Sequence, residues 1–238
     1  MSDRVTRAEI RAITAAPAPG ITAADRDAMA VPSYLHWNPL IRWLVRRRCA
    51  AVAAMAGRDA ESVLDFGCGV GVLLPALARR ARTVYAADLF PQYARELARR
   101  RGLAVTFVDG LEAIGDGALD AVVAAEVLEH LDAPEATVAA FARVLRPGGR
   151  LIVSLPTETF AYRLGRVLAG FRKKADVHRF DAAAIEAVIA RAGFRRLRCR
   201  RLPFLLPPHL YRVTEWVTPS PPAQGESPVS AGAGRLPG

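Results

Sequence analysis

The sequence predicts an α/β protein with a doubly wound, mostly parallel sheet, and three observations support that fold class. From Glu61 to about Leu155, short apolar runs alternate with helical patterns, as they do in consecutive βα units. The runs are almost wholly apolar, which is typical of strands covered by helices on both faces. The chain has 238 residues, of which 52% are hydrophobic, and this composition fits one globular domain.

The βα pattern places the elements of the sheet in order along the chain. Five strands are predicted, at Ser62–Asp65, Thr83–Asp88, Ala104–Val108, Leu119–Ala125 and Gly149–Leu155. The helices between them are predicted at Val70–Arg80, Gln92–Arg101 and Pro134–Leu145. The last helix should stop before Pro147-Gly148-Gly149, because this sequence favours a turn.

The segments on either side of these units predict a chain of three parts. Asn38–Met55 has apolar residues at helical spacing, with Asn38 as the N-cap and Pro39 at the first helical position. This helix should pack against the sheet edge or cover the site. We therefore expect an N-terminal arm and cover (1–37), whose first twenty residues are loosely held, and a main domain (38–217). A tail (218–238) rich in Pro, Ser, Gly and Ala should be disordered.

The region after the fifth strand is predicted to contain a basic amphipathic segment, Phe160–Lys174, then a helix opening at Asp181 and an antiparallel strand at Phe194–Arg201. The amphipathic segment fits three interpretations: a helix on an anionic membrane surface, a cover for an apolar acceptor, or an ordinary helix with one face in the core. No second strand of a hairpin is evident after Arg201.

Composition argues against several classes of protein. The net charge is +10, but the cations are spread over the ends of separate helices and one late strand, so no nucleic-acid partner is expected. Cys49, Cys68 and Cys199 form no C-x-x-C pair, which excludes a disulfide scaffold and predicts reduced thiols and a cytoplasmic location. No apolar run reaches the roughly 18 to 20 residues of a bilayer span, and arginines interrupt the N-terminus where a signal peptide would be apolar.

Three alternating glycines follow the first predicted strand, in the sequence Asp65-x-Gly67-x-Gly69-x-Gly71. Glycines permit a sharp turn and close approach to a ligand, and the helix that follows offers free N–H groups. The dinucleotide pattern G-x-G-x-x-G would require a glycine in place of Val72. The spacing and the preceding Asp65 therefore favour a zwitterionic nucleoside over a pyrophosphate.

The same motif resembles motif I of the class I S-adenosylmethionine-dependent methyltransferases, and later segments match that family in order. They are Val84–Asp88, Phe107–Gly110, and Leu119–His130 followed by Leu145–Gly149, which is similar to the ubiquinone-biosynthesis-like branch. The resemblance covers about residues 61–155 and implies a seven-stranded sheet that binds S-adenosylmethionine. The cofactor-binding residues that it implies are Asp65, Gly67, Cys68, Gly69, Gly71, Asp88, Leu89, Asp109, Gly110, Leu111 and Glu126. In this family the acid at Asp88 holds the ribose hydroxyls, and the segment with Asp109 meets the adenine.

Several of these residues also have a purely structural interpretation. The glycines could form an ordinary tight turn, and Asp88 could cap the helix that begins near Phe90 and Pro91. Cys68 is expected to be a small packing residue without redox chemistry. His130 is the candidate general base for a hydroxyl acceptor, or it begins or caps a helix. No cluster has metal-ligand spacing, so no metal is expected.

The sequence therefore predicts methyl transfer to a small or lipid-linked hydrophobic acceptor. Glu126, Glu129 and His130 are candidates for acceptor contact, because ligands bind at the carboxyl edge of such sheets. Oxygen is the first choice of acceptor atom, before carbon and nitrogen, and peripheral membrane contact is a further expectation. The alternatives are an NAD(P)-dependent oxidoreductase and a non-catalytic cofactor-binding module. The oligomeric state stays open at this point.

Overall fold

The computed structural model describes residues 3–15, 18–57, 60–157, 180–203 and 209–218, and these contain one seven-stranded sheet. The strands are β1 (Ala60–Phe66), β2 (Ala81–Ala87), β3 (Thr106–Phe107), β4 (Leu119–Ala125), β5 (Leu145–Pro156), β6 (Arg195–Leu202) and β7 (Tyr211–Val217). Their spatial order is β3-β2-β1-β4-β5-β7-β6. Strands β1 to β5 run parallel, and β7 is antiparallel to both of its neighbours. The predicted fold class is confirmed.

The direction of chain winding reverses between β1 and β4. The chain builds outward from β1 to β3 and then returns to place β4 on the other side of β1. Phe66 of β1 is in register with Ala124 of β4. The loops after these strands leave the same edge of the sheet in opposite directions, which opens a crevice. The topology therefore places the glycine loop beside the segment that begins at Glu126.

Helices cover both faces of the sheet. They are α1 (Arg7–Thr14), α2 (Ala23–Ala28), α3 (Val31–Leu35), α4 (Pro39–Met55), α5 (Leu74–Leu77), α6 (Gln92–Arg101), α7 (Pro134–Val144) and α8 (Ala182–Arg191), with 3₁₀ turns at Leu111–Ala113 and Leu128–His130. Helices α7 and α8 share one buried cluster with Val122, whereas α4, α5 and α6 share another with Val123. Successive residues of a strand face opposite layers of helices, so the residues on both faces of the strand are apolar. This explains the short apolar runs of the sequence.

Two predicted helix starts are confirmed by their capping hydrogen bonds. The Asn38 side-chain oxygen accepts from the Leu40 N–H at 2.9 Å, and Pro39 is the first residue of α4. The Asp181 carboxylate accepts from the Ala184 N–H at 2.7 Å at the start of α8. Both side chains satisfy N–H groups that have no partner inside the helix.

Two predicted elements are shorter in the structure. The helix expected at Val70–Arg80 is reduced to α5, because Gly71 has φ of +78° and the chain proceeds through tight turns before it becomes helical. The strand expected at Ala104–Val108 is reduced to β3, which lies at the sheet edge and pairs only with β2 over two residues.

The expectation of a loosely held N-terminus is wrong for the residues described there. Ile10 and Ile13 of α1 are buried in one cluster with Leu97 of α6. The Arg101 guanidinium of α6 also donates to the Glu9 carboxylate at 2.7 Å. This pair lowers the pKa of Glu9 to about 2, with the hydrogen bond from Arg101 as the main cause. Helix α1 is therefore attached to the main domain by apolar packing and by an ion pair.

Strand β7 completes the sheet where no hairpin was evident in the sequence. It lies between β5 and β6, and its Val213, Thr214 and Trp216 are buried. The predicted strand at Phe194–Arg201 is β6, displaced by one residue. The segment Phe160–Lys174 and all but Thr218 of the predicted tail lie outside the described residues. Among the described helices, none is both long enough and apolar enough to cross a bilayer.

Candidate cofactor and active site

A cavity of about 820 Å³ lies at the carboxyl ends of β1, β2 and β4. Its walls are the loops after these strands, the turn at Leu111–Ala113 and one side of α4. This volume is in the range of about 300 to 1,000 Å³ that is usual for sites that bind small molecules and cofactors. The cavity occupies the crevice expected where the winding direction reverses.

The glycine loop is fastened to the end of β2 by backbone hydrogen bonds. The N–H groups of Gly67 and Cys68 both donate to the Ala87 carbonyl, at 2.8 and 3.1 Å. The Gly69 N–H donates to the Asp88 carboxylate at 2.7 Å, and the Gly71 N–H donates back to the Cys68 carbonyl at 2.8 Å. These bonds fix the path of the backbone along the cavity wall.

Two of the loop glycines are required for different physical reasons. A Cβ on Gly67 would lie 2.1 Å from Cγ2 of Val127, so the loop after β4 leaves no room for a side chain. A Cβ on Gly69 would make only ordinary contact with Cβ of Met29, at 3.7 Å, but the φ of Gly69, +54°, is in the left-handed region. The loop is therefore more than an ordinary tight turn, because it also packs against the neighbouring loop.

Asp88 joins the glycine loop to the segment after β2. One carboxylate oxygen accepts from the Gly69 N–H, and the other accepts from the Phe90 N–H at 2.9 Å. Helix α6 begins at Gln92 and its N-cap is Pro91, so Asp88 is not the cap of that helix. Each carboxylate oxygen can accept more than one hydrogen bond, so Asp88 retains acceptor capacity toward the cavity that it lines.

Asp65 is a buried acid in the cavity wall. The residue is only 1% exposed, and its Oδ2 has no hydrogen-bond partner among the described residues. Burial, followed by the charge of Asp88, raises the pKa of Asp65 to about 7. A cationic group bound beside Asp65 would reverse this effect, because it would stabilise the ionised carboxylate.

Residues that follow β2 and β3 also line the cavity. Leu111 is buried at the start of its 3₁₀ turn, with Asp109 and Gly110 before it in the cavity lining. Leu89 also lines the cavity, at its rim, and is 90% exposed. Cys68 is buried, and burial raises the pKa of its thiol well above the usual value, which agrees with a packing role.

Glu126, which is partly buried, and Arg48, which is buried, form an ion pair on the α4 side of the cavity. The Arg48 Nη1 and Glu126 Oε2 atoms are 2.6 Å apart, and both residues line the cavity. Ser154 Oγ donates to the second Glu126 oxygen at 3.3 Å. Burial, the largest effect, would lower the pKa of Arg48, but Glu126 and the neighbouring Tyr34, Cys49 and Tyr211 together outweigh it, so the pKa is raised. Glu126 holds this position with φ of +62°, a left-handed backbone conformation that is rare for a residue with a side chain.

Two tyrosines lie against the Arg48 guanidinium. Its Nη2 is 3.5 Å from the Tyr34 hydroxyl, and its Cζ is 5.1 Å from the centre of the Tyr211 ring. Burial of the Tyr34 hydroxyl raises its pKa well above the usual value, so the phenol is neutral. Arg48 is thus held by an acid, a phenol and an aromatic face.

A family model described as methyltransferase domain matches residues 40–198, which is more than half of the chain. The chain belongs to the methyltransferase domain family. The resemblance to methyltransferases that was based on the glycine motif and the later segments is therefore confirmed at the level of the family.

Curated relatives of this methyltransferase domain match just under half of the chain. A ubiquinone biosynthesis O-methyltransferase from Xanthomonas oryzae pv. oryzae is 41% identical over 116 residues, which are 45% of this chain and 48% of the relative. A protein of the same name from Xylella fastidiosa is 41% identical over 107 residues, or 42% of this chain and 43% of the relative. The chain thus spans about half the length of the curated relatives that it matches.

Solved structures of methyltransferases share the fold. The N-methyltransferase NodS from Bradyrhizobium japonicum WM9, in complex with S-adenosylhomocysteine, has a TM-score of 0.62 at 17% identity, covering 83% of this chain and 97% of that chain. A magnesium protoporphyrin IX methyltransferase from Synechocystis PCC 6803, with bound S-adenosylhomocysteine, has a TM-score of 0.60 at 20% identity, covering 82% and 95%. These similarities support the class I methyltransferase fold of the domain.

The structure of the methyltransferase domain brings most of the predicted site residues together. Ten of the eleven predicted cofactor-binding residues line the cavity, and Gly71 is the exception, because it packs against α5 and α6 behind the loop. His130 lines the cavity from the last position of its 3₁₀ turn. Glu129 is buried and does not line it, so one of the three acceptor-contact candidates lies away from the cavity. Among the described residues, no group of three or more side chains is arranged to hold a metal ion.

Sequence reasoning missed Arg48 as a site residue and treated it with Arg46 and Arg47 as a solvated charge. A signal was present, because Val45, Arg48 and Val52 follow the three-and-four spacing of one helix face, and all three are buried. A charged residue on a buried helix face requires a partner. The identity of that partner could not be predicted, since Glu126 lies 78 positions away along the chain.

Proposed function

We propose that this chain is an S-adenosylmethionine-dependent methyltransferase whose cavity at the ends of β1, β2 and β4 binds the cofactor. The observation that carries the proposal is Asp65, a buried carboxyl that lines the cavity and has an oxygen without a hydrogen-bond partner among the described residues. When bound, the cofactor supplies a methyl group that is already activated on a cationic sulfonium.

The donor set of the cavity fits this cofactor. A buried acceptor without a partner is costly, and a cationic group of the ligand beside Asp65 would remove that cost. The remaining acceptor capacity of Asp88 suits the two ribose hydroxyls. Asp109, Gly110 and Leu111 line the same cavity and would contact the adenine. Cys68, Leu89 and Glu126 complete the proposed set of contacts.

We further propose that the acceptor is a small or lipid-linked hydrophobic molecule and that the methyl group is transferred to a hydroxyl oxygen. The curated relatives support this, because they are named ubiquinone biosynthesis O-methyltransferases. The cavity wall around His130 is largely apolar, with Leu131, Ala136 and Ala140 in its lining. A ring nitrogen of His130 would accept the hydroxyl proton, while the apolar wall and the loop align the acceptor with the methyl group.

Two rival functions predict different ligands or no turnover. An NAD(P)-dependent oxidoreductase would bind a dinucleotide through G-x-G-x-x-G, but Val72 occupies the third glycine position. A non-catalytic module would bind the cofactor and transfer nothing. The fold alone does not separate these rivals, since one fold supports many activities.

Calorimetric titration of the full chain with S-adenosylmethionine, S-adenosylhomocysteine and NAD tests the cofactor. We expect heat of binding for the first two, with S-adenosylhomocysteine displaced by the methyl donor and not by NAD. Binding of NAD alone would instead indicate the oxidoreductase. Methyl transfer to a panel of catechols, phenols and long-chain quinols then tests the acceptor, and cofactor binding without any product would indicate the non-catalytic module.

A further inference from the structure

An exposed aromatic surface lies at the start of α4, on the side of the helix away from the cavity. Trp37 is 74% exposed, Leu40 is 64% exposed and Trp43 is 41% exposed. These three residues follow one another at intervals of three and are called the Trp37–Trp43 face below. Among the described residues, only Leu89 and Leu197 are further large hydrophobic side chains with comparable exposure. Single exposed apolar residues are common, but three large ones within one short stretch of chain at the start of a helix indicate an interaction surface.

Arginines surround the Trp37–Trp43 face. The Arg42 Nη1 donates to the Trp37 carbonyl at 2.7 Å, and the Arg47 guanidinium carbon lies 5.8 Å from the centre of the Trp43 ring. Arg46 lies between them on α4, in the lining of a surface depression that also contains Arg4 and Trp43. Burial, together with the charges of Arg4 and Arg42, lowers the pKa of Arg46, which shows that cations accumulate here.

This positive charge is not neutralised by acids of the described chain. Within residues 3–15, 18–57, 60–157, 180–203 and 209–218, no carboxylate lies at ion-pair distance from Arg42, Arg46 or Arg47. Asp3, the acid in the same depression, is paired with Arg79 and Arg80. The charges of Arg42, Arg46 and Arg47 are therefore available to an anionic surface.

The chemistry of the face favours a lipid surface over other occupants. Tryptophan rings prefer the boundary between head groups and acyl chains, and arginines beside them attract anionic head groups. A second copy of the chain, packed symmetrically on this face, would bring the same arginines of both copies together and would be repelled. A nucleic acid would also attract arginines, but the leucine between the two tryptophans adds apolar area that a bilayer can bury.

The Trp37–Trp43 face is one helix away from the cavity. Tyr34 and Cys49 line both the cavity and the surface depression that reaches Trp43, Arg46 and Arg47. The opposite side of α4 carries Arg48 into the cavity wall. A surface bound at the Trp37–Trp43 face would therefore lie next to the α4 wall of the cavity.

We propose that the Trp37–Trp43 face and the arginines Arg42, Arg46 and Arg47 dock this protein on an anionic phospholipid bilayer. This inference goes beyond methyl transfer and does not depend on it, since it rests on residues outside the cofactor cavity. It places a docking element on α4, separate from the amphipathic segment Phe160–Lys174 that the sequence suggested for membrane contact.

Vesicle binding of the full chain tests this proposal. We expect the protein to sediment with vesicles of equal phosphatidylglycerol and phosphatidylcholine, to bind pure phosphatidylcholine much more weakly, and to be released by salt. The protein has three tryptophans, and Trp216 is buried at 4% exposure, so a shift of tryptophan emission to shorter wavelength would report Trp37 and Trp43. Absence of binding to the anionic vesicles, or equal binding to both kinds, would overturn the proposal.

Paired variants separate the face from the overall charge of the protein. Arg46→Gln with Arg47→Gln should weaken vesicle binding about 30-fold, because each arginine near an anionic surface contributes about a factor of five. Arg195→Gln with Arg200→Gln removes the same charge from exposed positions of β6 and should have little effect. Equal weakening by both pairs would show that net charge alone is responsible and would overturn the proposal.

The apolar half of the face has its own variants. Trp37→Gln with Trp43→Gln should abolish the emission shift and weaken binding at least tenfold, whereas Leu197→Gln, at an exposed position of β6, should change neither. Circular dichroism and the melting temperature verify that each variant is folded. If the tryptophan double variant does not fold, the arginine double variant alone tests the proposal.

A change in oligomeric state with unchanged vesicle binding would assign the face to a second copy. Binding of single-stranded DNA through these residues without vesicle binding would assign it to nucleic acid. Either result would overturn the proposal.

Discussion

Replacement of Asp65 by asparagine should stabilise the ligand-free protein at pH 8 and weaken binding of S-adenosylmethionine at least 100-fold. Burial raises the pKa of this carboxyl to about 7 in the folded protein, from a usual value of 3.8. The folded state therefore binds the proton more tightly than the unfolded chain does. Stability from this group is fully present below about pH 4 and is lost as the pH rises through about 7.

The size of the effect follows from the two pKa values. A change from 3.8 to about 7 corresponds to about 4 kcal/mol at high pH. The asparagine side chain has the shape of the acid without its charge, so the Asp65→Asn variant should gain up to that amount at pH 8 and almost nothing at pH 4. For a domain of this size the gain corresponds to roughly 10 °C in melting temperature.

Cofactor binding should show the opposite dependence on pH. If the bound cation requires the ionised Asp65, the affinity of the wild type falls about tenfold for each pH unit below about 7. The Asp65→Asn variant should bind at least 100-fold more weakly at pH 8 and should lose this slope.

Thermal unfolding and calorimetric titration between pH 4 and pH 8 measure both effects. Asp116→Asn is the matched control, because Asp116 is an exposed acid paired with Arg143 and should give no gain that depends on pH. An Asp65→Asn protein that is less stable than the wild type at pH 8, or that retains the wild-type slope of affinity against pH, would refute the reasoning.

The remaining predictions concern the loop, the ion pair and the base. Gly67→Ala should cost about 2 to 4 kcal/mol in the free energy of unfolding, because it adds a collision to an unfavourable backbone conformation, whereas Gly69→Ala should cost only about 1 to 2 kcal/mol. Denaturant unfolding measures both, and equal costs would contradict this account of the loop. Glu126→Gln should destabilise the protein by about 3 to 5 kcal/mol, because it leaves the Arg48 charge buried without its acid. In a protein that already carries Arg48→Met, Glu126→Gln should reduce the free energy of unfolding much less. A double-mutant cycle that shows no coupling between the two substitutions would show that the ion pair does not stabilise the protein. His130→Ala should lower kcat by about 100-fold or more and leave cofactor affinity unchanged, because a general base contributes that factor to turnover alone. Near-normal turnover of this variant would eliminate the base.

The parts of the fold that could be predicted from the sequence are those whose signals are local. β1, β2 and β4 each contain a short apolar run, and the glycine loop directly follows β1, so these elements could be identified without knowledge of distant residues. The caps Asn38 and Asp181 were predictable for the same reason, since each bonds to an N–H two or three positions ahead.

Features that depend on distant contacts could not be predicted in the same way. β7 was missed because it pairs with β5 and β6 only after a proline-interrupted segment, and its position in the sheet is set by those neighbours. The attachment of α1 was missed because the partner of Glu9 is Arg101, 92 residues later. Arg48 lies between these two cases. The spacing of apolar residues on α4 indicates that it is buried, but its partner Glu126 is too distant in the sequence to be predicted from that pattern.

The double attachment of Asp88 restricts how the specificity of this cavity could be redesigned. Its carboxylate holds the Gly69 and Phe90 backbone groups at the same time as it lines the cavity. Under the proposed function, an exchange of Asp88 meant to admit a different sugar would also release the Gly69 and Phe90 N–H groups. New nucleoside preferences would therefore be easier to install at Leu89 or Asp109, where the backbone keeps its course without help from the side chain being replaced.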